Sequence, residues 1–270
     1  MVTRDDLLQE LGLLPQWRQR SHTGLGAADA VPRAAVAAAV AATVAVPSPP
    51  AERGEAPVRL DVTAANDARR HRIAALEWPA FAPDVDACTA CKLCKTRRRS
   101  VPGVGDAHAE WLFVGEGPGA EEDAKGEPFV GQAGRLLDNM LAALGLARGE
   151  GVYIANVVKC RPPGNRTPEP LEVDACLPYL DRQIALIRPK LIVALGKSAA
   201  TALLQDDATI ASLRGRVHRY RDVPLVVTYH PAYLLRNLAD KAKAWEDLVL
   251  ARRTMAQSRP PQLPDVQPDM

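Results

Sequence analysis

Five cysteines are the first residues whose type and spacing carry chemistry. Cys88, Cys91 and Cys94 form a C-x2-C-x2-C run, and Cys160 and Cys176 follow far downstream. An odd count, with no secretory leader ahead of it, argues against a disulfide framework and toward a metal or cluster. Structural zinc more often uses two C-x2-C knuckles, and only one is present. An iron–sulfur cluster accepts scattered thiolates. Spacing alone leaves the cluster, zinc and unrelated core cysteines open. Lys92, Lys95, Arg97, Arg98 and Arg99 crowd the first group, a fringe suited to a phosphate backbone or to a solvated turn.

Three further points carry chemistry. Residues 115–131, GEGPGAEEDAKGEPFVG, set Gly115, Gly117 and Gly119 among Glu116, Glu121, Glu122 and Asp123, and place Phe129 two residues before Gly131. The loop lacks the terminal Lys-Ser/Thr of a Walker motif. Its carboxylates disfavour a bare phosphate, and Phe129 offers a flat stacking surface for a small polar ring. Asn156 can both donate and accept, and so can read one edge of a base; the alternative is an amide that satisfies a loop backbone. His230, followed by Pro231, precedes a short helix whose N-terminus favours a developing anion.

These residues need elements to hold them. Apolar runs predict strands over 112–115, 152–158, 191–195 and 225–228. Helical periodicity predicts helices over 132–144, 170–187, 198–204 and 241–253. The alternation implies a parallel sheet covered on both faces, with the glycine turn, Asn156 and His230 at its carboxyl edge. The rigid basic loop 161–168 after Cys160 is suited to positioning phosphates.

The compact domain is expected over 81–256. Residues 1–20 hold an amphipathic segment, either packed on its own domain or a docking peptide for a replication or repair protein. Residues 21–80 read as an Ala/Pro-rich linker with a short helix near 64–76, and 257–270 as a disordered tail. Net charge is +2, which by itself selects no partner. No apolar run reaches the ~18 residues that span a bilayer, so a cytoplasmic protein is expected.

Taken together, GEGPG…PFVG, then NVVKCRPPGNR, then HPAYLLRN, with the cysteines ahead, resemble the family 4 uracil-DNA glycosylases over about 85–255. The resemblance implies a three-layer α/β/α fold around a four-stranded parallel sheet. It implies a monomer, associated with the nucleoid, that removes uracil from single- and double-stranded DNA in base excision repair. It implies a [4Fe-4S] cluster on Cys88, Cys91, Cys160 and Cys176, with Cys94 spare. By the same likeness Phe129 stacks on the flipped uracil, Asn156 bonds its pairing edge, and His230 stabilises charge at O2. Glu116 and Gly117 contact base and sugar, Glu122 fills the space of a thymine methyl, and Leu234 is the wedge in the duplex. Which of Glu116, Glu122 and Asp123, if any, activates water stays open. Two other readings are a catalytically silent DNA-binding module and a relative that traps itself covalently on DNA. Intact Phe129, Asn156 and His230 disfavour the first. The second needs a basic insertion after the glycine motif, and residues 131–137 run straight into helix.

Overall fold

The computed structural model describes residues 62–258. By internal contacts the chain divides into Met1–Ala56 and Pro57–Met270, and the first unit lies outside the described residues. So do the expected N-terminal docking peptide, most of the linker and nearly all of the C-terminal tail.

Among the described residues six strands form one sheet: β1 (Val104–Gly105), β2 (Trp111–Gly115), β3 (Val152–Asn156), β4 (Leu191–Leu195), β5 (Val217–Tyr220) and β6 (Val223–Thr228), in the order β1-β3-β2-β4-β6-β5. The central four are parallel, as expected. The sheet is nonetheless wider than four strands. β1 and β5 add antiparallel edges, pairing with β3 and β6. Neither edge has an apolar run to announce it: β1 is two residues long, and β5 reads Val-His-Arg-Tyr with alternating exposure.

The central strands are buried on both faces, as parallel strands between helix layers must be. Alternate residues divide between two cores. Leu112, Val114, Ala155, Ile192 and Val227 face one, while Phe113, Ile154, Val193 and Val226 face the other. The helices are α1 (Val62–Ala74), α2 (Trp78–Ala87), α3 (Ala120–Lys125), α4 (Gln132–Ala143), α5 (Pro170–Ile187), α6 (Lys197–Leu204), α7 (Ile210–Leu213), α8 (Pro231–Leu234) and α9 (Lys241–Gln257). α2, α5 and α6 supply the first core, and α4 and α9 the second. Ile73 of α1 is fully buried in the first core, with Leu76 and Trp78 packed against it. The packed fold therefore begins upstream of Phe81, because this apolar trio covers α5.

Candidate active site and cysteine cavity

The three chemical motifs meet at the carboxyl edge of the sheet because parallel strands all end there. Gly115 and Asn156 are register partners across β2 and β3. The ladder continues past both strand ends, with Val157 N–H donating to the Gly115 carbonyl at 2.9 Å and Val158 N–H to that of Glu116 at 3.2 Å. On the other side, Gly196 N–H donates to the Thr228 carbonyl at 2.8 Å. Between these ends lies a cavity of about 490 Å³. Glu116, Gly117, Glu122, Phe129, Asn156 and His230 all line it.

Asn156 is 1% exposed, and among the described residues its Oδ1 has no hydrogen-bond partner. Burying an unpaired acceptor costs about 1–3 kcal/mol, so an orphan here marks a place built for a donor that arrives later. A Cβ on Gly115 would stand 2.5 Å from this Oδ1 and 2.6 Å from Phe129 Cζ. Only glycine leaves room for both.

His230 caps α8, and its Nδ1 accepts from Ala232 N–H at 3.1 Å. With Nδ1 occupied as acceptor, the neutral ring carries its proton on Nε2. Burial, then the Arg236 cation, pushes its pKa down to about 4 against an opposing pull from Glu122. At neutral pH the residue is therefore an uncharged donor. Its ring stacks on Phe129, with centroids 5.5 Å apart at 30°. Gly196, at φ +91°, admits it, since a Cβ there would lie 2.9 Å from His230 Cβ.

The carboxylates separate by what they already hold. Glu122 is spent on backbone: one oxygen accepts Gly119 N–H at 3.0 Å, the other Val130 N–H at 3.0 Å and Gly131 N–H at 3.3 Å. It ties the glycine turn to the Phe129 loop. Asp123 is 2% exposed and accepts Arg98 N–H at 2.9 Å; it does not line the cavity. Glu116 keeps one bond, from Ser198 Oγ at 2.8 Å, which orients it on the cavity wall. Ser198, in the first turn of α6, carried no signal in the sequence.

Leu234, expected as the wedge, is 1% exposed and packed with Tyr229 and Ala244. Leu235, just past the end of α8, is 39% exposed, and Leu238, in the following turn, is 60% exposed. Tyr233 and Arg236 of the same motif reach the cavity rim, though sequence reasoning gave them no role.

A second, smaller cavity is lined by all five cysteines. Arg97 Nη1 donates to Cys160 Sγ at 2.9 Å, Lys159 N–H to Cys176 Sγ at 3.2 Å, and Arg69 Nη2 to Cys88 Sγ at 3.4 Å. Burial pushes the Cys176 thiol up to about 12. Burial also lowers fully buried Lys159 to about 8, against the charges of Cys176 and Cys160. Its ammonium donates to the Asn156 carbonyl at 2.7 Å and to Gln183 Oε1 at 2.5 Å. Among the described residues, no three His, Cys, Asp or Glu side chains close on a single-ion site.

The sheet order, with a helix-lined core on each face and a cavity at its carboxyl edge, defines a three-layer α/β/α fold. The family model described as "Uracil DNA glycosylase superfamily" matches residues 102–249. The type-4 uracil-DNA glycosylase of Archaeoglobus fulgidus is 49% identical over 160 residues, covering 56% of this chain and 80% of that protein. That of Thermotoga maritima is 46% identical over 161 residues, covering 59% and 83%. The type-5 enzyme of Pyrobaculum aerophilum is 36% identical over 152 residues, covering 50% and 67%. The chain belongs to the type-4 uracil-DNA glycosylases.

Proposed function

We propose that this chain flips uracil out of DNA into the 490 Å³ cavity and hydrolyses its N-glycosidic bond, leaving an abasic site for base excision repair. The observation that carries the reading is the orphaned Asn156 Oδ1. Uracil presents an N–H at N3 beside a carbonyl at O4, which meets an amide's oxygen and nitrogen in turn. Cytosine presents a lone pair at N3 and so leaves Oδ1 unpaired. Phe129 supplies the stacking face.

Flipping costs a few kcal/mol, which an apolar wedge and backbone contacts offset. Leu235 and Leu238 take the wedge role in place of Leu234. Uracil leaves as an anion with charge on O2. His230 donates Nε2–H there as a neutral imidazole, and a preorganised donor of this kind supplies ~3–4 kcal/mol. Glu116, held by Ser198, faces the cation-like sugar and the attacking water. Glu122 acts by shaping the turn, and its body bounds the space a thymine methyl would need. Gly117 keeps the turn low beneath the sugar: a Cβ there would meet Val158 Cγ2 at 2.7 Å.

Cys88, Cys91, Cys160 and Cys176 would hold a [4Fe-4S] cluster, which supplies a cross-link between the segment before β1, the end of β3 and helix α5. The all-thiol donor set and its N–H···S partners suit that group. Cys94 lines the same cavity and is the spare ligand. The partner is DNA, bound by a monomer in the nucleoid. No helix among the described residues is long and apolar enough to cross a membrane.

The test is cleavage of a labelled oligonucleotide holding one uracil, followed by hot alkali. Strand breaks at uracil, and none at thymine or cytosine, are expected. Intact strands would refute the reading.

A further inference from the structure

Phe129 has φ 55°, a left-handed conformation that a bulky residue adopts only under constraint. Its neighbours make the constraint visible. A Cβ at Gly134 would sit 1.8 Å from the Phe129 carbonyl oxygen, so the first turn of α4 abuts that peptide. From the turn after α4, Arg148 reaches back. Its Nη1 donates to the Pro128 carbonyl at 2.9 Å and its Nη2 to the Phe129 carbonyl at 2.9 Å. Nε and Nη2 also donate to Asp138 Oδ1, at 3.1 and 2.8 Å. All three guanidinium nitrogens are used. Neither Arg148 nor Asp138 lines the cavity.

We infer that Arg148 is a positioning residue for the Phe129 ring. Its planar fork meets two consecutive carbonyls, which a point charge cannot do. Fixing both peptide planes fixes the backbone angles of Phe129, and with them the stacking face beside His230. Asp138, on α4, holds the guanidinium square to the turn. The plainer alternative is a surface ion pair that closes the turn, worth little and without effect on the cavity. The inference rests on the reading that Phe129 stacks on the base.

Two measurements test it on the full-length protein, with Arg148→Met, Arg148→Lys, Asp138→Asn and Phe129→Ala. The first is excision of uracil from an oligonucleotide, with inhibition by free uracil. The Arg148→Met rate and free-uracil affinity are expected to fall roughly tenfold or more, as the loss of charge-assisted hydrogen bonds implies. Affinity for an undamaged oligonucleotide and the melting temperature should hold. Arg148→Lys should recover part of the loss, since one ammonium can meet one carbonyl, and Asp138→Asn should fall between. The second is the NMR shift of the His230 ring protons, which feel the Phe129 ring current. Arg148→Met should move them toward their Phe129→Ala position. Unchanged shifts and free-uracil affinity in a folded Arg148→Met variant would overturn the clamp, as would losses in Arg148→Met and Arg148→Lys that merely track melting. If the wild type leaves uracil in place, the glycosylase reading fails, and the ring-proton shift still decides the clamp.

Discussion

Replacing His230 with glutamine tests the central chemical claim, that the imidazole is held neutral. An ordinary histidine titrates at 6.5, and this one at about 4, with burial the leading cause, Arg236 second and Glu122 opposing. The folded value is the depressed one, so the unfolded chain takes up the proton first. The residue's contribution to stability is therefore full above pH 6.5 and lost as pH falls toward about 4. At about 1.4 kcal/mol per pH unit, the whole gap amounts to about 3 kcal/mol, and about 2 kcal/mol is already lost by about pH 5. Urea unfolding of wild type and His230→Gln near pH 7 and near pH 5 reads this directly. The wild type should lose about 2 kcal/mol more than the variant over that interval. Over the same range the excision rate should show no fall with a midpoint near 6.5. Parallel losses in the two proteins, or an imidazole resonance removed by the substitution that titrates near 6.5, would refute the neutral donor.

Asn156→Ala should reduce kcat/KM on a uracil oligonucleotide roughly tenfold to a hundredfold, the value of one to two well-placed hydrogen bonds, while urea stability holds or rises because an orphan acceptor has been removed. Leu234→Ala should cost about 2–4 kcal/mol of stability, read by the same melts, with no change in the preference between duplex and single strand. Leu235→Ala or Leu238→Ala should leave stability nearly unchanged and slow excision from duplex more than from single strand, measured as a rate ratio. Removing the proposed cluster's iron with a chelator should lower the melting temperature in step with loss of visible absorbance; loss of excision in a protein that still melts as before would place the proposed cluster in the chemistry instead.

The central strands were readable because burial on both faces leaves an unbroken apolar run, as in the Leu112-Phe113-Val114 stretch of β2. Strand polarity then placed Gly115, Asn156 and His230 on one edge without any knowledge of contacts. The edges were not readable, since β1 is too short for a pattern and β5 half polar. Leu234 and Leu235 are alike in type and adjacent, so only the packing of α8 against Tyr229 and Ala244 says which one faces solvent. Glu122 lines the cavity as its place in the loop suggests, but nothing in its type reveals that three backbone N–H groups claim it. Ser198 and Arg148 act across 82 and 19 residues of sequence, where no local spacing can point to them.

The ladder that runs on past Gly115 and Asn156 has a bearing on how long the site endures. The strand end that carries Asn156 and the Gly115–Gly117 turn are joined peptide to peptide, through Val157 to Gly115 and Val158 to Glu116. They form one ribbon in the middle of the sheet, and neither end can wander without dragging the other. The offset between Asn156 and the Glu116–Gly117 turn is thus fixed by backbone pairing. That part of the site lasts as long as the pairing of β2 with β3 in the middle of the sheet.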